Sequence, residues 1–129
     1  MEFDTEKATN IFRLYPQIKL VYLFGSRARG RAGPLSDYDF AVYLDEKDAQ
    51  ARFNIRLGLM GKLSQYLRSD DVDVLILNDV KGPEVKYRII TEGILLYEQE
   101  PYRVLLVPRI LNEYFDFMHG LRKYGLTRA

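Results

Sequence analysis

Three short runs of β-branched, leucine and aromatic residues constrain this chain more than anything else in it: 18–24 (IKLVYLF), 38–44 (YDFAVYL) and 72–77 (VDVLIL). Each has the length and composition of a buried strand. What separates them sets their directions. The first two are joined by a loop, residues 25–36, rich in Gly, Ser, Arg and Pro. A connection of hairpin length predicts an antiparallel pair. The second and third are separated by residues 47–68, a strong helical stretch with Phe53, Leu57, Met60, Leu63 and Leu67 on one stripe. A helical crossover predicts parallel neighbours. The expected fold class is therefore α/β (α+β): a small mixed β-sheet flanked by helices.

The remaining segments fill in that plan. Residues 4–15 carry Ala8, Ile11, Phe12 and Tyr15 at helical spacing, with Asp4 or Thr5 as the cap and Pro16 as the stop. A short helix over 83–92 opens at Pro83 and ends at Gly93, and residues 94–98 read as a short edge strand. Leu111, Phe115, Met118 and Leu121 predict an amphipathic C-terminal helix over about 109–124, which Pro108 starts or kinks. With 129 residues, the chain reads as a single domain, 1–129.

Composition removes several chemistries. The absence of Cys excludes thiolate nucleophiles and Cys-based zinc sites. A single His, His119, excludes a multi-histidine metal site, and its place beside Met118 reads as a packed or surface residue. Nineteen Lys and Arg against eighteen Asp and Glu argue against a large positive field, so no direct nucleic-acid binding is expected. No apolar run approaches the ~18 residues of a membrane helix, and the acidic start is the wrong sign for a signal peptide. A cytoplasmic protein with no membrane association is the expectation.

The charges are segregated. Residues 27–31 carry Arg27, Arg29 and Arg31 and no acid; residues 70–79 carry four Asp and no base. Asp37 and Asp39 flank the start of the second strand at i and i+2, so both carboxylates share a face. Asp73 sits inside the third strand between Val72 and Val74. Strands disfavour Asp, and if the third strand neighbours the second, Asp73 converges on the pair. Asp70 and Asp71 compete for the same role; Asp71 shares the face of Asp73. Clustered carboxylates repel unless a cation neutralises them, and oxygen ligands suit Mg²⁺. Gly25 and Ser26 follow the first strand directly, and a Gly-Ser turn offers close backbone approach and N–H groups to a phosphate. Arg27 and Arg29 suit phosphate oxygens; a solvated loop explains each Arg taken singly.

Together, Gly25-Ser26, ten intervening residues and Asp37-Tyr38-Asp39 match the G-S-x10-D-x-D signature of the polymerase-beta-like nucleotidyltransferases. Val72-Asp73-Val74 resembles the strand carrying that family's third carboxylate. The string FGSRARGRAGPLSDYDFAVYL looks like the minimal nucleotidyltransferases (MNT). Tyr87–Ile90, Glu92–Tyr97 and Tyr114–Phe117 resemble the back half of the MNT antitoxins found beside HEPN-domain toxins. The resemblance implies a polymerase-beta-like nucleotidyltransferase fold and two Mg²⁺ ions held by Asp37, Asp39 and Asp73. It also implies ATP as substrate, bound by Gly25 and Ser26 with Arg27 and Arg29, and AMP transfer to a Tyr hydroxyl of a cognate HEPN toxin. The chain would then act as an antitoxin and form a hetero-oligomer with that toxin; the aromatic C-terminal helix, about 109–124, reads either as the docking element or as core packing. Two other functions stay open: nucleotidyl transfer to a small-molecule hydroxyl, and a non-catalytic antitoxin that neutralises by binding.

Overall fold

A computed structural model of the chain describes residues 4–25 and 38–125. Within them the order is α1 (Thr5–Phe12), β1 (Ile18–Phe24), β2 (Tyr38–Leu44), α2 (Ala49–Leu67), β3 (Val72–Ile76), α3 (Pro83–Glu92), β4 (Ile94–Glu98) and α4 (Tyr102–Lys123). The strands form one mixed sheet in the order β3-β2-β1-β4. β1 is antiparallel to both β2 and β4, whereas β2 and β3 run parallel. The expected strand directions and the edge position of β4 are therefore correct. A short 3₁₀ turn, Leu77–Asp79, ends the third apolar run one residue earlier than the sequence pattern implies. There Asn78 accepts from the Leu44 N–H at 2.9 Å and donates to the Leu44 carbonyl at 2.8 Å, replacing a strand partner with a side-chain amide.

Alternation divides the sheet into two faces. Ile18, Val21, Leu23, Phe40, Val42, Val74 and Ile76 point to one face and pack with Ala8 and Phe12 of α1 and with Ile55, Leu59 and Leu63 of α2. Phe12 meets Phe40 edge-on with ring centroids 6.3 Å apart. The other face carries a smaller cluster, Leu20, Tyr22, Ala41, Leu77 and Ile89, against which Leu106 of α4 and Ile90 of α3 pack. α1 is capped by the Asp4 carboxylate, which accepts from the N–H groups of Glu6 and Lys7. It ends at Phe12, three residues short of the expected bound, and residues Arg13 to Tyr15 turn into β1.

Two helical expectations need correction. On α2 the expected stripe holds in its second half, where Leu63 is buried and Met60 and Leu67 pack against the core, but Phe53 and Leu57 are 47% and 49% exposed and Ile55 and Leu59 are buried in their place. The sequence offers two overlapping apolar stripes, and α2's arginines help select between them. Arg52 and Arg56 flank the buried stripe and reach Asp79 and β3, which fixes the helix rotation. α4 begins at Tyr102, not near residue 109, so Pro108 lies inside it. Proline removes the N–H that the Val104 carbonyl would accept from. Val104 is 70% exposed, so the proline falls on the outward side of the helix.

Candidate active site

The parallel register of β2 and β3 pairs Asp39 with Asp73. Both are one residue out of phase with Phe40 and Val74, so both side chains stand on the face away from α1 and α2. Neighbouring strands are about 4.8 Å apart, which brings two carboxylates side by side at the N-terminal ends of β2 and β3. Across the antiparallel pair, Asp39 lies opposite Phe24, the last residue of β1. Gly25 follows with φ of 80°, in the left-handed region that favours glycine. A Cβ at Gly25 would lie 2.6 Å from the Asp39 carboxylate Oδ2, so only glycine brings the backbone this close to that oxygen.

Gly25, Asp39 and Asp73 are thus brought together. Ser26, Arg27, Arg29, Arg31 and Asp37 lie outside the described residues. Asp71 falls before β3, where its carbonyl accepts from the Tyr38 N–H at 2.7 Å. Asp73, not Asp71, is the residue in register with Asp39. His119 is exposed on α4. Among the described residues no group of three or more His, Cys, Asp or Glu forms a cluster fit for a metal ion; Asp37, the expected third member, is not among them.

The donor set fits a hard divalent cation. Both described side chains offer only oxygen, and two adjacent carboxylates on one solvated face need positive charge between them. One cation already stands near: Arg56 Nη2 of α2 lies 3.3 Å from Asp73 Oδ1. Nothing in the spacing of the strands announces this arginine; its only trace in the sequence is its place next to Ile55, four residues after Arg52. On the same face, burial pushes the Tyr22 phenol up from its usual range, with Arg103 opposing, so Tyr22 stays neutral and is no base.

Beside Gly25 opens a cavity of about 240 Å³, lined by Phe24, Gly25, Val85, Arg88, Ile89 and Glu92. Its walls are largely apolar, with the Arg88–Glu92 pair of α3 at 3.8 Å. The arrangement sets two carboxylates, a close backbone turn and a largely apolar recess side by side.

The comparisons with known proteins point the same way. The family model described as polymerase beta, nucleotidyltransferase matches residues 6–102. A curated relative, protein adenylyltransferase MntA of Aphanizomenon flos-aquae (strain 2012/KM1/D3), is 29% identical over 105 residues, covering 73% of this chain and 66% of that protein. The chain thus spans just under two thirds of that relative's length. A crystal structure of a toxin-antitoxin with AMP-PNP superposes with a TM-score of 0.77 at 26% identity, covering 95% of each chain. A complex of tri-AMPylated Shewanella oneidensis HEPN toxin with MNT antitoxin matches with a TM-score of 0.69 at 24% identity. That match covers 93% of this chain and 91% of the other, and it bears on the fold alone.

Proposed function

The chain belongs to the polymerase beta nucleotidyltransferase family, and from that membership we propose that it moves AMP from ATP to a Tyr hydroxyl of a HEPN toxin and so acts as an antitoxin. The observation that carries the reading is the pairing of Asp39 with Asp73 beside Gly25. The name of the MntA relative supports adenylyl transfer to protein, and the AMP-PNP complex of a similar toxin-antitoxin supports an ATP-like substrate and a toxin partner.

In this mechanism the acceptor oxygen attacks the α-phosphorus of ATP. The bond from that phosphorus to the α,β-bridging oxygen breaks, and pyrophosphate leaves. Asp73 accepts the phenolic proton, which requires the acceptor hydroxyl to reach the start of β3. Asp37, Asp39 and Asp73 would hold Mg²⁺, which supplies charge stabilisation to the attacking and leaving oxygens. Gly25 and Ser26 contact the β- and γ-phosphates, and Arg27 and Arg29 add charge to that end. The recess of Phe24, Val85 and Ile89 beside Gly25 would take the flat adenine ring.

The toxin docks on α4. Val104, Pro108, Leu111 and Phe115 lie at i, i+4, i+7 and i+11; Val104 is 70% and Phe115 56% exposed, and Ile110 is the helix's buried residue among those described. An exposed apolar stripe along one helix is a partner surface rather than a solvated one. No helix among the described residues is long and apolar enough to cross a membrane, and use of ATP as substrate would suit the cytoplasm.

The test incubates the full chain with a candidate HEPN protein, sought first in the neighbouring genes, ATP labelled at the α-phosphate, and Mg²⁺. The expected result is label on a toxin tyrosine, lost with EDTA and in Asp39→Asn. Label on a small hydroxyl compound alone, or toxin neutralisation by an Asp39→Asn/Asp73→Asn variant, contradicts the reading.

A further inference from the structure

Two arginines one turn apart on α2 reach across the edge of the sheet, and they are used differently. Arg52 is fully engaged in structure: Nη2 lies 2.7 Å from Asp79 Oδ1, Nε donates to the same carboxylate, and Nη1 donates to the carbonyls of Glu46 at 3.0 Å and Lys47 at 2.9 Å. These contacts tie the start of α2 to the turn after β3. Arg56 has one firm anchor, a 2.6 Å hydrogen bond from Nε to the Val74 carbonyl, and one looser contact, from Nη2 to Asp73 Oδ1 at 3.3 Å.

The anchor follows from topology. β3 is an edge strand. The Asp71 carbonyl faces β2, where it accepts from Tyr38 N–H. Carbonyls alternate along a strand, so those of Asp73 and Leu75 also turn inward and that of Val74 turns outward, unpaired by the sheet. Arg56 fills that position from the α2 side. The guanidinium is planar, so a Nε–H fixed on Val74 aims the adjacent nitrogen at a predictable point. That point is the side chain of the preceding residue, Asp73, which rises on the opposite face.

We propose that Arg56 is a positioning residue for the Asp73 carboxylate. Holding Oδ1 limits rotation of the group and leaves Oδ2 for a cation shared with Asp39, while the positive charge eases the repulsion between the two carboxylates. An ion pair this exposed, 34% and 57%, contributes little to folding on its own. Its effect is on where the carboxylate points, and partners that orient a metal-binding side chain are worth roughly 10- to 100-fold in affinity or activity when removed. The inference rests on the reading of Asp73 as a metal ligand.

The test measures Mn²⁺ binding to the full chain, with AMP-PNP present, by the loss of the free-ion electron paramagnetic resonance signal. Wild type, Arg56→Ala, Asp73→Asn and the double variant form a cycle. Arg56→Ala is expected to weaken Mn²⁺ binding roughly tenfold and to lower kcat for AMP transfer by a similar factor, with a smaller change in KM for ATP. In the Asp73→Asn background the same substitution is expected to change nothing further. Circular dichroism checks the fold, and Arg56→Lys, which keeps the cation but loses the fork, is expected to weaken Mn²⁺ binding by less than about tenfold, a readout that stands even if the alanine variant unfolds. Equal weakening with and without Asp73 overturns the proposal, as does unchanged or tighter Mn²⁺ binding in Arg56→Ala and Arg56→Lys. If Asp73→Asn weakens Mn²⁺ binding and the Arg56 variants do not, only the role of Arg56 falls. If Asp73→Asn itself leaves Mn²⁺ binding intact, the assignment of Asp73 as a ligand falls with it.

Discussion

On the face of the sheet toward α1 and α2, Phe12, Phe40, Val42, Leu59, Leu63 and Val74 are wholly buried. On the opposite face the equivalent phase of β2 and β3 begins with Asp39 and Asp73, and burial resumes only at Ala41 and Leu77. The same two strands therefore do two jobs on alternate residues. Phe40 and Val74 hold helices; their predecessors are left at a solvated end where carboxylates stand. The difference teaches how so small a domain keeps a charged site: one face supplies most of the packing, so the other can forgo burial at one end of the sheet.

Neighbouring residues on opposite faces give the sharpest way to break this comparison. Asp39→Asn is expected to reduce AMP transfer on the order of 10³-fold, since loss of metal-mediated charge stabilisation is worth several kcal/mol. Its melting temperature is expected to change little, because the substitution keeps the side chain's size and a partner-accepting oxygen. Phe40→Ala reverses the pattern: a wholly buried aromatic is lost, destabilising the fold by about 3–5 kcal/mol in chemical denaturation. If Asp39→Asn unfolds the protein instead, the two faces do not divide as described.

Smaller effects sharpen the division. Val104→Asp is expected to weaken toxin binding about tenfold in calorimetry and to leave the melting temperature of the isolated chain in place, since this side chain is exposed on α4. Gly25→Ala is expected to cost about 1 kcal/mol of stability, because φ is positive there. It should also lower transfer activity, since the new methyl displaces the Asp39 carboxylate. Phe53→Ser on the outward side of α2 is expected to change stability by no more than ~0.5 kcal/mol, against ~2–5 kcal/mol for Leu59→Ala on its inward side. Equal costs at Phe53 and Leu59 would restore the stripe that the sequence alone suggests.

That stripe shows where sequence reasoning stops. β1, β2, α3 and β4 occupy the bounds that composition and punctuation imply, because alternation, Pro83 and Gly93 are local signals. The rotation of α2 is not local. Phe53 and Leu57 are as apolar as Ile55 and Leu59, and the choice depends in part on arginines whose partners lie beyond the helix, at Asp79 and Val74. The start of α4 is likewise hidden: a proline lies within the helix, on its exposed side. The placement of Asp39 beside Asp73 was legible because strands rarely carry Asp, and parallel register is what a helical crossover dictates. Arg56 was not legible, since its role depends on an edge carbonyl that only the assembled sheet defines.

The central claim is that the start of β2 and β3, on the face away from α1 and α2, holds the nucleotide and its metal. The most direct measurement is an anomalous-scattering map from crystals of the chain grown with AMP-PNP and Mn²⁺. The account predicts a Mn²⁺ peak within coordination distance of the Asp39 and Asp73 carboxylates, with the triphosphate beside Gly25. A nucleotide bound elsewhere, or a peak that touches neither carboxylate, would contradict it.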